Sequence, residues 1–371
     1  MSNLPACKIS FCVACMNRAY HLKKTILKNI LNNLDYPELE IVLLDYNSAD
    51  DLEPWAKEEL GEYIGQGKVV YYKTFDPAVF SHSHSKNLVF KLANGTVVCN
   101  LSCDNFVGPD FAGYINRFFQ EHKDAFLCPD LGKGFDPGTA GAICIKKNDF
   151  LNVGGFDERM AVYGWEDIDL IRRLMLAGLE RKDIKSSGFI TAIQHGDNER
   201  YDPDKLLSKI HAVYASSPDP IDEPRSGLYL LHNDRSFRSG TVINNANRDA
   251  AATGTPLFQY EIEGFFWAEG YWREEPSRIQ LFDKAYKTGQ VFFKKVCDDR
   301  TVLQSSDKET FLYHITNIDL LSKIAYFEMD YHNRMIMIQN QRMRKITVNN
   351  GVFGRASVFK NFDYSRAIQV N

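Results

Sequence analysis

Residues 154–173 read GGFDERMAVYGWEDIDLIRR and place three acids, Glu166, Asp167 and Asp169, within four positions. Apolar residues follow at helical spacing, so these acids occupy the first turn of a predicted helix. Acids favour that turn because the helix macrodipole is positive there, which contributes about 0.3–1 kcal/mol each. Three adjacent acids also repel one another, and a helix cap does not require that. Trp165 and the nearby glycines would build a pocket wall for a flat, hydroxylated ligand.

Two opposing effects act on the carboxylate of Asp167. The helix N-terminus lowers its pKa, whereas the neighbouring carboxylates raise it. A side chain balanced in this way is ionised at neutral pH and still able to accept a proton. The sequence therefore favours Asp167 as a general base over a purely structural helix cap.

Further polar residues follow predicted strands. Asn17 and Arg18 come after the apolar run 9–15, where they could reach a nucleotide or its phosphates or simply cap a helix. Asp45 ends the next apolar run, where it could also cap the following helix. Asp104 follows a third run and suits a divalent cation that neutralises a diphosphate, although Asp104 and Asn105 could equally form a tight turn.

His195 follows a strand-like run in the segment QHGDNERYD. A histidine at such a position is more often an ordinary surface or core residue, and pairing with Asp104 is what makes a ligand role attractive. Imidazole, carboxylate and phosphate oxygens together favour Mn²⁺ over Mg²⁺. We therefore expect Mn²⁺, or Mg²⁺ in its place, at Asp104 and His195.

Composition excludes several classes of protein. The chain has 371 residues, of which 44% are hydrophobic and 25% charged, so we expect a globular protein of two domains. Its net charge of -4 gives no overall attraction to nucleic acid. No apolar run reaches the roughly 18 residues of a membrane span, which predicts a cytoplasmic protein, either free or peripheral to a membrane. The CVAC segment at 12–15 has no second cysteine pair, so neither a zinc site nor a redox pair is expected.

Short apolar runs alternate with helical patterns over the first part of the chain, which predicts an α/β domain with a mainly parallel sheet over residues 1–215. Ligands of such sheets bind at the carboxyl ends of the strands. Residues 216–227 are rich in proline and acids and are predicted to form a linker. Aromatic or alternating segments, among them GFFWAEGYW and RMIMIQNQRM, predict a β-rich accessory domain over residues 228–371.

The segments MNRAYHLKK, LLDYNSADD and HSKNLVFKLANGTVVCNLSCDN, each beside a predicted strand, together resemble a family 2 glycosyltransferase with a GT-A fold. VGGFDERMAVYGWEDIDLIRRLMLAG and IQHGDNERYD are similar to the C-terminal part of β-1,4-galactosyltransferases and related chondroitin-type polymerases. The resemblance spans roughly residues 8–210. It implies an inverting enzyme of polysaccharide biosynthesis that transfers a hexose or N-acetylhexosamine from a UDP-sugar to a saccharide hydroxyl.

The resemblance also implies a role for each candidate residue. It implies Asn17, Arg18, Asp45, Lys86, Asn87 and Asp104 at the donor, Asp104 and His195 on the metal, Asp167 as catalytic base, and Trp165 with Glu166 at the acceptor.

The sequence also departs from the family pattern. Ser102 replaces the first Asp of the D-x-D metal motif, and the glycines between Trp and Glu are absent. A GT-A-fold protein that binds nucleotide or carbohydrate without turnover therefore remains an alternative. A sugar nucleotidyltransferase is a further alternative, but ACMNRAY lacks the glycine-rich phosphate loop that such an enzyme needs. The sequence does not determine the oligomeric state, and a homo-oligomer is compatible with it.

Overall fold

The computed structural model of the chain describes residues 6–130, 136–160, 162–184, 188–194, 206–218, 223, 225–244, 258–259, 268–283, 290–296, 302–305 and 309–371. The chain divides into two compact units. The first unit combines Met1–Tyr201 with Met329–Asn371, and the second comprises Asp202–Glu328.

The first unit is built on one large sheet. Its strands are β1 (Ile9–Cys15), β2 (Leu39–Tyr46), β3 (Val69–Thr74), β4 (Val97–Ser102), β6 (Ala125–Pro129), β7 (Cys144–Lys146), β8 (Glu180–Ile184), β19 (Ala356–Lys360) and β20 (Asp363–Val370). A separate short pair joins β5 (Asn105–Val107) to β9 (Ile190–Ala192). The order across the large sheet is β20-β19-β3-β2-β1-β4-β7-β6-β8, and in it only β7 and β19 run against the other described strands.

Helices alternate with these strands along the chain. They are α1 (Ala19–Leu31), α2 (Leu52–Glu59), α3 (Gly61–Gly65), α4 (His82–Leu92), α5 (Phe111–Glu121), α6 (Lys147–Asn152), α7 (Glu166–Leu176) and α8 (Ile318–Arg342). Apolar residues of α1 and α5 pack on one face of the sheet, and those of α4 and α7 pack on the other. The α/β class predicted from the alternating apolar runs is thus confirmed.

Successive residues of β1 point to opposite faces of the sheet because side chains alternate along a strand. Phe11 and Cys15 belong to one apolar cluster and Cys12 to the other. The two cysteines of CVAC therefore face opposite sides of the sheet. They cannot form one zinc site or one redox pair, which their spacing alone would allow. Cys12 is fully buried, as expected of a small core residue.

The parallel register brings the ends of the central strands to one edge. Cys15 of β1 lies beside Asp45 of β2, Asp45 lies beside Lys73 of β3, and Ala14 lies beside Ser102 of β4. The polar residues that follow these strands therefore emerge along a single rim, which is where open α/β sheets bind their ligands.

The second unit is an antiparallel sheet that closes on itself. Its strands are β10 (Ile210–Ala215), β11 (Arg225–His232), β12 (Ser236–Asn244), β13 (Phe258–Gln259), β14 (Ala268–Glu275), β15 (Arg278–Asp283), β16 (Gln290–Lys295), β17 (Val302–Ser305) and β18 (Phe311–His314). The order is β11-β10-β18-β17-β16-β15-β14-β12-β13, and pairing of β11 with β12 completes the ring. Trp272, Leu281, Leu303 and Leu312 lie in its apolar core. The predicted β-rich part is confirmed.

The boundaries predicted for the domains were wrong in two respects. The segment 216–227, expected to be a linker, ends inside β11, and β10 and β11 pair within the second unit. The tail was expected to belong to the accessory domain, but residues 329–371 belong to the first unit. RMIMIQNQRM forms the C-terminal part of α8 and the residue after it, not a strand.

Among the described residues, no helix has both the length and the apolar character that crossing a bilayer requires.

Candidate functional site

The turns after β1 and β2 are joined at the rim. The backbone N–H of Asn17 donates to the Ser48 hydroxyl at 3.1 Å, and the Asn17 amide oxygen accepts from Ala49 N–H at 2.7 Å. Asn17 and Asn47 both adopt the left-handed backbone region, with φ of 56° and 62°. Asparagine tolerates that region better than most residues, which explains its use in these two turns. The side-chain oxygen of Asn17 thus holds the turn after β1 to the turn after β2.

Arg18 is the N-cap residue of α1, follows Asn17 directly and is half-buried. Among the residues that the structure describes, no carboxylate pairs with its guanidinium. Its charge contributes to lowering the pKa of His82 on α4. The position is compatible with the predicted role at the donor, because a guanidinium at the rim can bind phosphate oxygens.

Asp45, predicted at the nucleotide, is fully buried. Its carboxylate accepts hydrogen bonds from Ser48 N–H at 2.7 Å and from the Tyr71 hydroxyl at 2.7 Å, and lies 3.1 Å from Lys73 Nζ. These partners occupy the carboxylate and fix the turn that contains Ser48. The structure therefore places Asp45 beneath the rim, where it supports the turn rather than facing the open edge.

Asp104, the predicted metal ligand, lies in the turn between β4 and β5 and is 6% exposed. Its Oδ1 accepts from Asn105 Nδ2 at 3.2 Å, so the tight turn considered from the sequence is present as well. Its backbone carbonyl accepts from Ile193 N–H at 3.0 Å, two residues before His195 along the chain. His195 itself lies outside the described residues.

The described residues contain no group of three or more His, Cys, Asp or Glu side chains arranged for a metal ion. A single buried carboxylate at the ligand rim does fit a hard divalent cation that takes its other ligands from substrate phosphates. The donor chemistry of Asp104 thus agrees with the predicted cation, and the metal assignment stays a prediction.

Lys86, Glu166 and Asp167 form a charged cluster between α4 and the start of α7. Lys86 Nζ donates to Glu166 Oε1 at 2.9 Å and to Asp167 Oδ1 at 2.7 Å. Lys86 and Glu166 are buried, whereas the Asp167 side chain retains 19% exposure. Trp165, the residue before α7, has φ of 71°, which turns the chain sharply into the helix. Two acids at one helix start thus share one cation from another helix.

The two acids of this cluster have opposite pKa shifts. Burial raises the pKa of Glu166, but attraction to Lys86 and to His82 outweighs burial and lowers that pKa to about 2. Burial raises the pKa of Asp167 to about 6, because repulsion by Glu166 adds to it and Lys86 opposes it only in part. Asp167 is therefore mostly ionised at pH 7 and can still accept a proton, which is what a general base requires.

His82, on α4, also lies beside this cluster and was not predicted from the sequence. Its Nδ1 lies 3.8 Å from Glu166 Oε1, and its ring packs against Phe80 and Tyr163 at centroid distances of 4.9 and 5.0 Å. Burial lowers the pKa of His82 to about 4, with Lys86 contributing, so the imidazole is neutral at pH 7. His82 and Lys86 stand four residues apart on one helix face, and that spacing was visible in HSHSK.

Asp169, the third acid of the motif, turns away from the cluster. Its carboxylate binds Arg173 Nε at 2.7 Å and accepts from Asn340 Nδ2 at 2.9 Å. Arg173 is 1% exposed and also donates to the carbonyls of Val153 and Gly155, at 2.9 and 2.7 Å. This acid therefore fixes α7 to the preceding double-glycine turn and has a structural role.

Asn87, predicted at the donor, is fully buried and holds the same turn from α4. Its side chain donates to the Phe156 carbonyl at 2.9 Å and accepts from Phe156 N–H at 2.8 Å. Its Nδ2 also donates to Glu158 Oε1 at 2.9 Å. Both ends of the Asn87 amide are therefore occupied within the protein.

Helix α8 packs against the entry to α7. The Trp165 indole N–H donates to Asp330 Oδ1 at 2.7 Å, and the Arg334 guanidinium lies 5.5 Å from the centre of the indole ring. Asn333 Nδ2 donates to the carbonyls of Tyr163 and Gly164, at 2.9 and 3.2 Å. The residues that precede Asp167 are thus held by a segment more than 160 positions away in sequence. The indole N–H of Trp165 is therefore already bonded within the protein, and its acceptor role stays a prediction.

Comparisons with known proteins agree with this part of the chain. Residues 136–196 match the family model described as the N-terminal domain of galactosyltransferase. The predicted resemblance to galactosyltransferases is confirmed over these residues, although the sequence analysis likened them to a C-terminal part. The detailed correspondence of GWED stays a prediction. No curated protein sequence matches the chain significantly.

Solved structures similar to the chain include a mannosyltransferase and a protein bound to a nucleotide sugar. Mannosyltransferase PcManGT from Pyrobaculum calidifontis, in complex with GDP-Man and Mn²⁺, is 15% identical with a TM-score of 0.44, over 55% of this chain and 62% of that one. TarS 1–349 from S. aureus, in complex with UDP-GlcNAc, is 14% identical with a TM-score of 0.41, over 51% of this chain and 60% of that one. The chain thus spans about three fifths of the length of these structures. The strand order described above confirms the predicted α/β class with a mainly parallel sheet, and the finer GT-A assignment stays a prediction.

Proposed function

We propose that the first unit is an inverting, metal-dependent glycosyltransferase. It would move a hexose or N-acetylhexosamine from a UDP-sugar to a hydroxyl of a saccharide acceptor. The observation that supports this most is the Lys86, Glu166 and Asp167 cluster, which supplies a carboxylate with a pKa of about 6 inside the segment matched by the galactosyltransferase model.

The chemistry follows from the two shifted carboxyl groups. Asp167 takes the proton of the acceptor hydroxyl as that oxygen attacks the anomeric carbon of the donor. The bond from that carbon to the diphosphate breaks, and its electron pair leaves with UDP. Attack on the face opposite the leaving group inverts the anomeric configuration, so an α-linked donor gives a β-glycoside. Glu166, with its pKa near 2, stays ionised throughout and keeps Lys86 protonated.

The donor would be bound by groups at the rim. Arg18 supplies a cation for the phosphates, while Asn17 and Asp45 hold the two turns that border the nucleotide. Asp104 and His195 would hold a divalent cation, which when bound supplies positive charge for the diphosphate as it leaves.

The test is a screen of UDP-sugars with and without Mn²⁺, on the parent chain and on Asp167→Asn. We expect UDP release that depends on metal and acceptor in the parent, and a loss of about 10²–10⁴-fold in the variant because the base is removed. Asp51→Asn is the matched control, since its carboxylate is 66% exposed and pairs only with Lys23 among the described residues. Binding of UDP without any turnover in the parent would favour the nucleotide-binding alternative and reject the enzyme.

A further inference from the structure

Lys86 has contacts that the role predicted for it at the donor does not explain. Its side chain is 8% exposed and its ammonium donates to both acids of the site, at 2.9 and 2.7 Å. The ammonium also lies 5.1 Å from the centre of the Phe156 ring. A lysine placed to grip donor phosphates would keep its head group open to them. This head group is instead turned inward onto Glu166 and Asp167.

The contact with Asp167 is one-sided. Lys86 binds Oδ1, whereas Oδ2 faces Gly141. A Cβ at Gly141 would lie 3.0 Å from Asp167 Oδ2 and 3.4 Å from both Asn100 Nδ2 and Lys86 Nζ. Gly141 has no positive φ that would otherwise require glycine. The absence of a side chain at this position therefore leaves space beside the one carboxylate oxygen that Lys86 does not hold.

We propose that Lys86 is a positioning residue for the base. It holds Asp167 by Oδ1 so that Oδ2, in the space left by Gly141, receives the proton of the acceptor hydroxyl. This inference rests on the proposed transferase function, because it assigns the orientation of the base in that reaction. The proton leaves the acceptor oxygen for Oδ2 while the bond from that oxygen to the anomeric carbon forms.

The charged groups around Asp167 are few among the described residues. Helix α4 presents Lys86 and, next to Glu166, the neutral His82. Helix α7 presents Glu166, while Asp169 is paired with Arg173 on the other side. On the side at Gly141, the atoms nearest to a Cβ besides Asp167 Oδ2 are the uncharged Asn100 Nδ2 and Lys86 Nζ itself. Lys86 is therefore the cation that opposes protonation of Asp167.

The first experiment compares pH–rate profiles of the parent, Lys86→Met and Lys86→Arg. The acid limb of the parent should have its midpoint near pH 6. Loss of an adjacent opposite charge shifts a carboxyl pKa by about 1–3 units, so Lys86→Met should move the limb to between about pH 7 and 9. Activity should then recover at high pH, the donor KM should change less than about threefold, and Lys86→Arg should restore much of the profile. The exposed Lys57→Met is the matched control and should leave the profile in place.

An unmoved acid limb together with a donor KM raised tenfold or more in Lys86→Met would overturn the inference and make Lys86 a donor contact. The titration of the Asp167 carboxyl, followed by carbon-13 NMR and assigned with Asp167→Asn, tests the same point without turnover. A higher midpoint for the Asp167 titration in Lys86→Met than in the parent supports the role of Lys86 as a positioning residue, and an equal midpoint rejects it. If the parent transfers no sugar, the proposed function fails, and this titration still decides whether Lys86 controls the carboxyl.

The second experiment fills the space beside Oδ2. Gly141→Ala should lower transfer about 100-fold or more while UDP binding changes less than about threefold, because the methyl group blocks the acceptor side of the base. Gly61→Ala is the matched control, since a Cβ there meets nothing within 4 Å. Gly141→Ala with parent-like transfer would show that Oδ2 is not the reacting oxygen.

Discussion

The buried ion pair of Asp169 and Arg173 allows a quantitative test of how the base is held in place. Asp169→Asn keeps the size of the side chain but removes the charge and replaces one acceptor oxygen by a donor. Arg173, 1% exposed, would then keep its contacts to the carbonyls of Val153 and Gly155 without a carboxylate. Breaking one side of a buried pair costs about 3–5 kcal/mol, because a buried charge is left uncompensated.

That cost should be visible as a lower melting temperature. For a unit of this size about 1 kcal/mol corresponds to about 2–4 °C, so Asp169→Asn should lower Tm by about 6–20 °C in scanning calorimetry. Asp51→Asn removes the same charge from a pair of similar length, 2.6 Å, but with side chains 30% and 66% exposed. Such a surface pair contributes about 0–1 kcal/mol, so Tm should change by no more than about 4 °C.

A double variant separates lost charge from lost packing. Asp169→Leu combined with Arg173→Met removes both charges, and it should recover a large part of the stability that Asp169→Asn loses. A Tm for Asp169→Asn that matches Asp51→Asn would refute the assignment of Asp169 as the structural acid of the motif. A double variant less stable than Asp169→Asn would show that the contacts to the turn carbonyls, rather than the charge, provide the stability.

Three further outcomes follow from the geometry. Transfer must fall as pH drops through the pKa of Asp167, about 6, so kcat/KM at pH 5 should be about one tenth of its plateau with a single-proton slope. Trp165→Phe keeps an aromatic ring but removes the indole N–H, so the partly buried carboxylate of Asp330 on α8 loses that donor. The change should lower the free energy of unfolding in urea by about 1–3 kcal/mol. Gly155→Ala places a side chain on a backbone with φ of 69°, and its Cβ would lie 2.4 Å from the Asn87 amide oxygen. It should lower the free energy of unfolding by about 2–4 kcal/mol. Gly65→Ala is the control and should change that free energy little, because a Cβ there meets nothing within 4 Å.

The strands of the first unit were predictable because buried strands read as continuous apolar runs, and β1, β2 and β4 are such runs. Helix α8 was missed for a specific reason. In the part of α8 that belongs to the first unit, from Met329 onward, the buried residues are Met329, Asn333, Ile336, Met337 and Asn340, which follow helical spacing. Two of these five are asparagines that bond to the region around α7, so the face is not an apolar stripe. In the sequence, a buried helix face that contains polar residues resembles a solvent-exposed face, because the hydrogen-bond partners of those residues are not known.

The candidate site shows the same limit. The position of Asp167 at a helix start followed from local sequence, and so did the idea of opposing pKa effects. The partner of Asp167 could not be predicted in this way, because Lys86 lies 81 residues away and the pairing of the two residues depends on how α4 and α7 pack on the sheet. Asp45 was chosen because it ends a strand, and Asn87 because the resemblance implied it at the donor. Only burial distinguishes a residue that supports a turn from one that faces a ligand.

The number of cations available to the motif explains why three acids stand within four residues. Arg173 neutralises Asp169, which leaves one ammonium among the described residues, that of Lys86, for both Glu166 and Asp167. His82 adds no charge at pH 7 because its pKa is about 4. One cation cannot fully stabilise the ionised forms of two carboxylates. The pKa of one acid is therefore lowered and that of the other is raised. The acid with the raised pKa is Asp167, whose side chain is 19% exposed against 4% for Glu166, so the proton-accepting group is also the one that an acceptor can reach.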